Sequence, residues 1–188
     1  MNNSKEILIL GAGTWGIALA RMLSLARHNV QVWSALPEEI HNLRTTRRHI
    51  NLHNMTIPDA IDFTDGITIA VKDKDILLFA VSSVYIRSTA HLIAPIYCGQ
   101  VIVDVAKVIE PDSLMTMSEV IKSEIPNAEV VALSGPTHVE EVALDLPTTI
   151  VSACEGIELA EYIQKVFSTS TMRVYTNTDI NGVEVCGA

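Results

Sequence analysis

Short continuous apolar runs alternate along the chain with stretches whose apolar residues recur every three or four positions. Runs at 6–10, 30–33, 76–81, 101–105, 130–133, 148–151 and 172–175 read as strands. Several are apolar throughout, as strands buried on both faces are. Residues 67–71 read as a further short strand. Between the runs, residues 14–27 carry Trp15, Ile17, Ala18, Leu19, Met22, Leu23 and Leu25 at helical spacing. Pro37 opens a second helix, with Ile40 and Leu43 inside it, that ends near Arg47 and Arg48. Residues 83–94 form a third that stops at Pro95, and 113–125 a fourth that stops before Pro126. Further helices fall at 137–144 and 157–167, and residues 49–66 read as irregular connection. The last ten residues, "DINGVEVCGA", begin a helical pattern in which Val183, Val185 and Cys186 have nothing after them to cover them. That is the pattern of a piece of a longer chain. The alternation predicts an α/β fold with a doubly wound, mostly parallel sheet.

Composition sharpens this. The 188 residues are 48% hydrophobic, high for a chain with no membrane-length apolar run. No signal-peptide pattern precedes the first strand. Cys98, Cys154 and Cys186 are odd in number and lack metal-ligand spacing. They read as free thiols of a reducing cytoplasm, with no metal site expected. The net charge of −9 argues against nucleic acid as a partner. Neither insertion into a membrane nor a nucleic-acid role is expected. An anionic ligand would need local positive potential.

The stretch "LGAGTWGI" supplies it. Gly11, Gly13 and Gly16 follow the first strand and open the first helix, a G-x-G-x-x-G in the strand–turn–helix context that gives the motif its value. The first glycine suits a tight turn, the second a close approach by pyrophosphate, the third helix–strand packing. The free N–H groups of the helix start would hold the phosphates. The other reading is a tight turn with glycines for sterics alone. The context predicts a Rossmann-type dinucleotide site, with NAD or NADP as cofactor. An acid about 20 residues further on would favour NAD, and an arginine there NADP. That place holds Ser34 and Ala35, so neither rule is met. Arg44, Arg47 and Arg48 lie one helix further on, where basic residues also suit a helix C-terminus.

Two more places carry chemistry. Lys107 stands just past the end of a buried strand, where open α/β sheets bind ligands. It would hold a phosphate or polarise a carbonyl there, or simply be a solvated lysine. In "LSGPTHVEEV", Thr137 and Glu140 match a T-x-x-E capping box, which accounts for both without any ligand.

Taken in order, "GAGTWGIALA", "DKDILLFAVSS", "VAKVIE", "LSGPTHVEEVALDLPTTI" and "RVYTNTDINGVEVCGA" resemble the NAD(P)-dependent glycerol-3-phosphate dehydrogenases, over the family's N-terminal half or a little more. The resemblance implies cofactor contacts at Thr14 and Trp15 in the glycine loop and near Lys107 and Val139, beside Ser34 as the candidate at the end of the second strand, and substrate contacts at Lys107, Gly135 and Thr137. It names Lys107 as catalytic. It implies hydride transfer between NAD(P)H and dihydroxyacetone phosphate, giving sn-glycerol 3-phosphate for phospholipid synthesis, and admits a homodimer. Residues 1–178 would be the dinucleotide-binding domain and 179–188 the start of a helical substrate domain. The family's second catalytic lysine would follow Ala188. There are departures: Ala35 stands where the family usually has a basic residue, Val108 replaces a glycine beside the lysine, and Ser82-Ser83 stands for Pro-Ser. The rival readings are a related β-hydroxyacid-type dehydrogenase and a non-catalytic dinucleotide-binding module.

Overall fold

Strand β1 (Glu6–Leu10) lies between β2 (Asn29–Trp33) and β4 (Ile76–Phe79), parallel to both. Ile7 and Ile9 point into one apolar layer, Leu8 and Leu10 into the other. A strand covered on both faces has no polar side to show, which explains the uninterrupted apolar run. The computed structural model describes residues 4–187. The eight strands run in the order β3-β2-β1-β4-β5-β6-β7-β8, the remaining ones being β3 (Asp62–Thr64), β5 (Val101–Asp104), β6 (Val130–Ser134), β7 (Thr148–Ala153) and β8 (Met172–Asn177).

Helices α1 (Thr14–Leu25) and α2 (Pro37–Thr46) pack into the layer of Ile7 and Ile9, as do α6 (Val139–Ala143) and α7 (Ile157–Phe167). Helices α3 (Ile67–Ala70), α4 (Ile86–Ile93) and α5 (Met117–Glu124) cover the other face. Strand order reverses between β1 and β4, so the crevice above their carboxyl ends is the topological switch point.

Three sequence expectations about these elements are corrected. Residues 67–71 are not a strand: α3 occupies Ile67–Ala70. Ile67, Ala70 and Val71 face the core at helical spacing while Ile69 is exposed. Residues 49–66 are not wholly irregular, because Asp62–Thr64 forms an edge strand beside β2. The helix expected from 113 starts at Met117, with Thr116 as N-cap in a reciprocal capping box with Glu119. Within the mostly parallel sheet, β7 runs antiparallel to β6, with Leu133 opposite Ser152, and β8 is parallel to β7. The link through α6 does not cross the sheet. Arg21 in α1 holds the turn after α6 by a two-pronged bond to Asp145, at 2.8 and 2.7 Å.

The tail forms α8 (Ile180–Cys186), capped by the Asp179 side chain on the Gly182 N–H. Ile180 and Val183 pack on Ala132 and Ala153, whereas Val185 is exposed. The expectation that nothing covers Val183 is thus corrected. What docks the helix is a residue that the apolar pattern passes over. Glu184 is buried and accepts hydrogen bonds from the Ser118 N–H at 2.9 Å and its Oγ at 2.5 Å. A carboxylate there sits at the positive end of α5, where the helix dipole favours it. Glu184→Ala is expected to cost about 1–3 kcal/mol, since it strands buried donors. Val185→Ala, on the exposed side, should stay within about 0.5 kcal/mol. Urea unfolding of both variants checks this, and equal midpoints would refute the docking role of Glu184.

Candidate functional site

The β1–α1 loop is built almost entirely of backbone. Gly11 has φ +118°, and a Cβ there would come within 2.7 Å of the Ala80 carbonyl and the Val81 nitrogen beyond β4. The Gly11 N–H bonds the Trp33 carbonyl at the end of β2, at 2.9 Å. A Cβ on Gly16 would overlap the Gly11 carbonyl oxygen. Two of the glycines therefore serve packing.

Gly13 differs. Its φ of −66° suits any residue, and a Cβ there would meet nothing within 4 Å. No protein contact demands this glycine. It is also the N-cap of α1 and provides no side-chain cap. The first-turn N–H groups have no intrahelical acceptor, as at any helix start. An open glycine over free N–H groups fits a pyrophosphate, with Gly11, Gly13, Thr14, Trp15 and Gly16 around it. Trp15 packs on the core beneath, and its buried Nε1 has no partner among the described residues.

Ser34 lies at the end of β2, buried, its N–H bonded to the Thr64 carbonyl at 3.2 Å. Val139 opens α6, which packs against the same core as Trp15.

A second group forms beyond β5 and β6. The Lys107 Nζ donates to the Gly135 carbonyl at 2.9 Å and to the Thr137 carbonyl at 3.1 Å. It also reaches Thr137 Oγ1 at 3.2 Å. The structure thus brings Lys107, Gly135 and Thr137 together across 28 residues of chain or more. Burial holds the Lys107 ammonium below its ordinary pKa. The capping box expected at Thr137 and Glu140 is absent. His138 is the N-cap of α6, without a side-chain bond, and the Thr137 hydroxyl faces the lysine instead. A cleft of about 400 Å³ opens here, with Lys107, Gly135, Thr137 and His138 on one wall and Val183 and Cys186 of α8 on the other. A cation at the mouth of such a cleft can hold an anionic group or stabilise charge growing on a carbonyl oxygen.

A larger cavity, about 630 Å³, lies beside the end of α1 at the Ser168–Thr171 turn. Its polar groups serve each other: Thr169 Oγ1 accepts from the N–H groups of Thr171 and Met172. It lacks the cation and the free helix start of the switch-point region.

Sequence reasoning missed one buried group near the cleft. Asp104 ends β5 and is 1% exposed. Its Oδ1 accepts from the Ala106 N–H at 3.3 Å, and Oδ2 has no partner among the described residues. Burial raises its pKa well above the carboxylate range, and the nearby Glu184 charge raises it further. The polar end of an otherwise apolar strand, "VIVD", was the available signal.

The family model described as NAD-dependent glycerol-3-phosphate dehydrogenase N-terminus matches residues 6–160. The chain is 59% identical over 190 residues to the NAD(P)+ glycerol-3-phosphate dehydrogenase 2 of Lactobacillus delbrueckii subsp. bulgaricus, covering 97% of this chain and 56% of that one. It is 45% identical over 182 residues to the NAD(P)+ glycerol-3-phosphate dehydrogenase of Agathobacter rectalis, covering 96% and 54%. The crystal structure of glycerol-3-phosphate dehydrogenase from Coxiella burnetii superposes with a TM-score of 0.91 at 26% identity, covering 98% of this chain and 57% of that one. The chain spans about half the length of the curated relatives it matches.

Two outcomes are expected. Gly13→Val should fold with an unchanged urea midpoint and lose dinucleotide binding, because the new side chain enters space that only a ligand would use. Calorimetric titration reads this, and undiminished affinity would remove the loop from the site. For Asp104, the raised folded pKa sets the sign. The stability tied to its protonated form is complete below the unfolded value of about 3.9 and is lost as pH rises through the folded value. Asp104→Asn keeps the shape and cannot ionise, so its stability relative to the parent should climb with pH. Urea melts from acid to alkaline pH test it; a constant difference would contradict the assignment.

Proposed function

The chain belongs to the NAD-dependent glycerol-3-phosphate dehydrogenase family, and on that premise we propose that it is the dinucleotide-binding part of an enzyme interconverting dihydroxyacetone phosphate and sn-glycerol 3-phosphate. Residues 1–178 are the binding domain in this reading, and 179–188 begin a helical substrate domain. The observation that carries the reading is the convergence of Lys107, Gly135 and Thr137 on one cleft. The neighbouring glycine loop, with Gly13 open, supports it.

NAD(H) or NADP(H), when bound, supplies or takes up the hydride. Gly11, Gly13, Thr14, Trp15 and Gly16 would hold its pyrophosphate, Ser34 its ribose side, and Lys107 and Val139 would flank it. Lys107 does the work of charge: its ammonium exchanges one of three protein acceptors for a substrate oxygen. Partial burial strengthens that interaction relative to water. Gly135 and Thr137 hold the lysine in place and offer a hydroxyl beside it. The proton for the alkoxide comes from the family's second lysine, which this reading places beyond residue 188. The product would enter phospholipid synthesis in the cytoplasm, and a homodimer is the assembly proposed.

In a chain extended to the relatives' full length, Lys107→Ala should lower turnover of dihydroxyacetone phosphate by roughly 10²–10³-fold, as loss of one preorganised charge-stabilising group does. Dinucleotide affinity should stay within a few-fold. Loss of NAD(P)H absorbance reports the first and calorimetry the second. Full activity in that variant would place the chemistry on other residues.

A further inference from the structure

The end of β2 is where a dinucleotide-binding sheet reads the adenosine ribose, and an acid there favours the 2′-hydroxyl of NAD. Along the sequence that place holds Ser34 and Ala35. In three dimensions it also holds a carboxylate. The Ser34 Oγ donates to Glu39 Oε2 at 2.5 Å and accepts from the Leu36 N–H at 3.2 Å. Ser34 is 6% exposed, so its hydroxyl is fixed from both sides. Glu39 lies in the first turn of α2, where the helix dipole stabilises a negative charge. It is only partly buried, and its Oε1 has no hydrogen-bond partner among the described residues. The glycine loop is tied to the same strand end through the Gly11 N–H and the Trp33 carbonyl.

Arg44 of α2 and Arg47 just after it are engaged with β3 and the segment before it. Arg44 donates to the Phe63 carbonyl. Arg47 donates to the Ile61 carbonyl at 2.7 Å and lies over the Phe63 ring. Arg47 and Arg48 follow the far end of a ten-residue helix, about 15 Å from its start.

We infer that the Ser34–Glu39 pair makes this site selective for NAD(H) over NADP(H). The inference rests on the dinucleotide reading above and adds the determinant of cofactor choice. A ribose 2′-hydroxyl donates to the free carboxylate oxygen. A 2′-phosphate brings only acceptors, with a charge of about −1.5 to −2 by analogy with other phosphate monoesters. It meets a fixed negative charge, and the neighbouring His49 is held below its ordinary imidazole pKa by burial, so it offers no compensating charge at neutral pH. Ser34 acts as the positioning residue, holding Glu39 toward the strand end.

The test is calorimetric titration of the 188-residue chain with NADH and with NADPH, at low and high salt. NADH should bind at least ~10-fold more tightly at low salt, and the gap should narrow at high salt as repulsion is screened. Glu39→Gln should bring the two affinities within about threefold, mainly by improving NADPH. Ser34→Ala should shift the ratio the same way by less, and Glu38→Gln, on the exposed neighbour, should leave it alone. Equal affinities in the parent, tighter NADPH, or an unchanged ratio in Glu39→Gln each overturn the inference and leave the dinucleotide site standing. Binding of neither nucleotide at millimolar concentration overturns both. The salt series on the parent chain keeps the test decisive if a variant does not fold.

Discussion

Three backbone segments meet at the carboxyl end of β1 with no room for a side chain between them. The Gly11 carbonyl lies beneath Gly16 at the start of α1, and Gly11 presses on the Ala80–Val81 peptide beyond β4. This close approach fixes where α1 begins, and with it the direction of the helix dipole and the free N–H groups. It also sits at the point where strand order reverses. The proposed dinucleotide site is therefore less a set of side chains than a consequence of packing β1, α1 and β4 as closely as backbones allow. Gly13 is the glycine that packing does not need.

The second half of the proposed site is held by charge. Lys107 ties the segment after β5 to the turn after β6 through carbonyl oxygens and one hydroxyl. The segment is anchored on either side. Asp104 bonds the Ala106 N–H, and Arg87 grips Glu110 at 2.9 and 2.6 Å. Beyond it, Thr116 caps α5 and Glu184 of α8 binds Ser118. Buried and half-buried polar groups here are costly unless paired, and nearly all are paired. Among the described residues the exceptions here are the Asp104 Oδ2 and the Ser134 Oγ. Both lie on the sheet face that α8 covers, which makes the α8 contact the place where this half of the structure is least satisfied.

Legibility followed length and context. Long periodic segments such as 157–167 were readable to the residue, because burial of one helical face repeats over several turns. Residues 67–71 misled because five apolar and β-branched positions fit a strand as well as a helix. Only the crossover from β3 to β4 decides between them. The chain contains the T-x-x-E pattern at both Thr116 and Thr137, and only the first is a capping box. Nothing local distinguishes them. Thr137 is drawn away by Lys107, a residue 30 positions distant.

By itself, the sequence showed the doubly wound α/β class and the glycine loop, and it singled out Lys107, Gly135 and Thr137, which the structure brings together. Each of these is a local pattern or a matched motif, and local patterns survive being read along a line. The tertiary structure alone decided which way β7 runs, what docks the tail, and that the Glu39 carboxylate bonds Ser34 at the end of β2. A rule that counts residues from the glycines finds Ser34 and stops. The carboxylate arrives five residues later, because α2 starts at Pro37 and its first turn folds Glu39 back onto the strand end. Coulomb interaction depends on distance through space and not along the chain, so a residue that the count leaves out holds the charge that the rule was looking for.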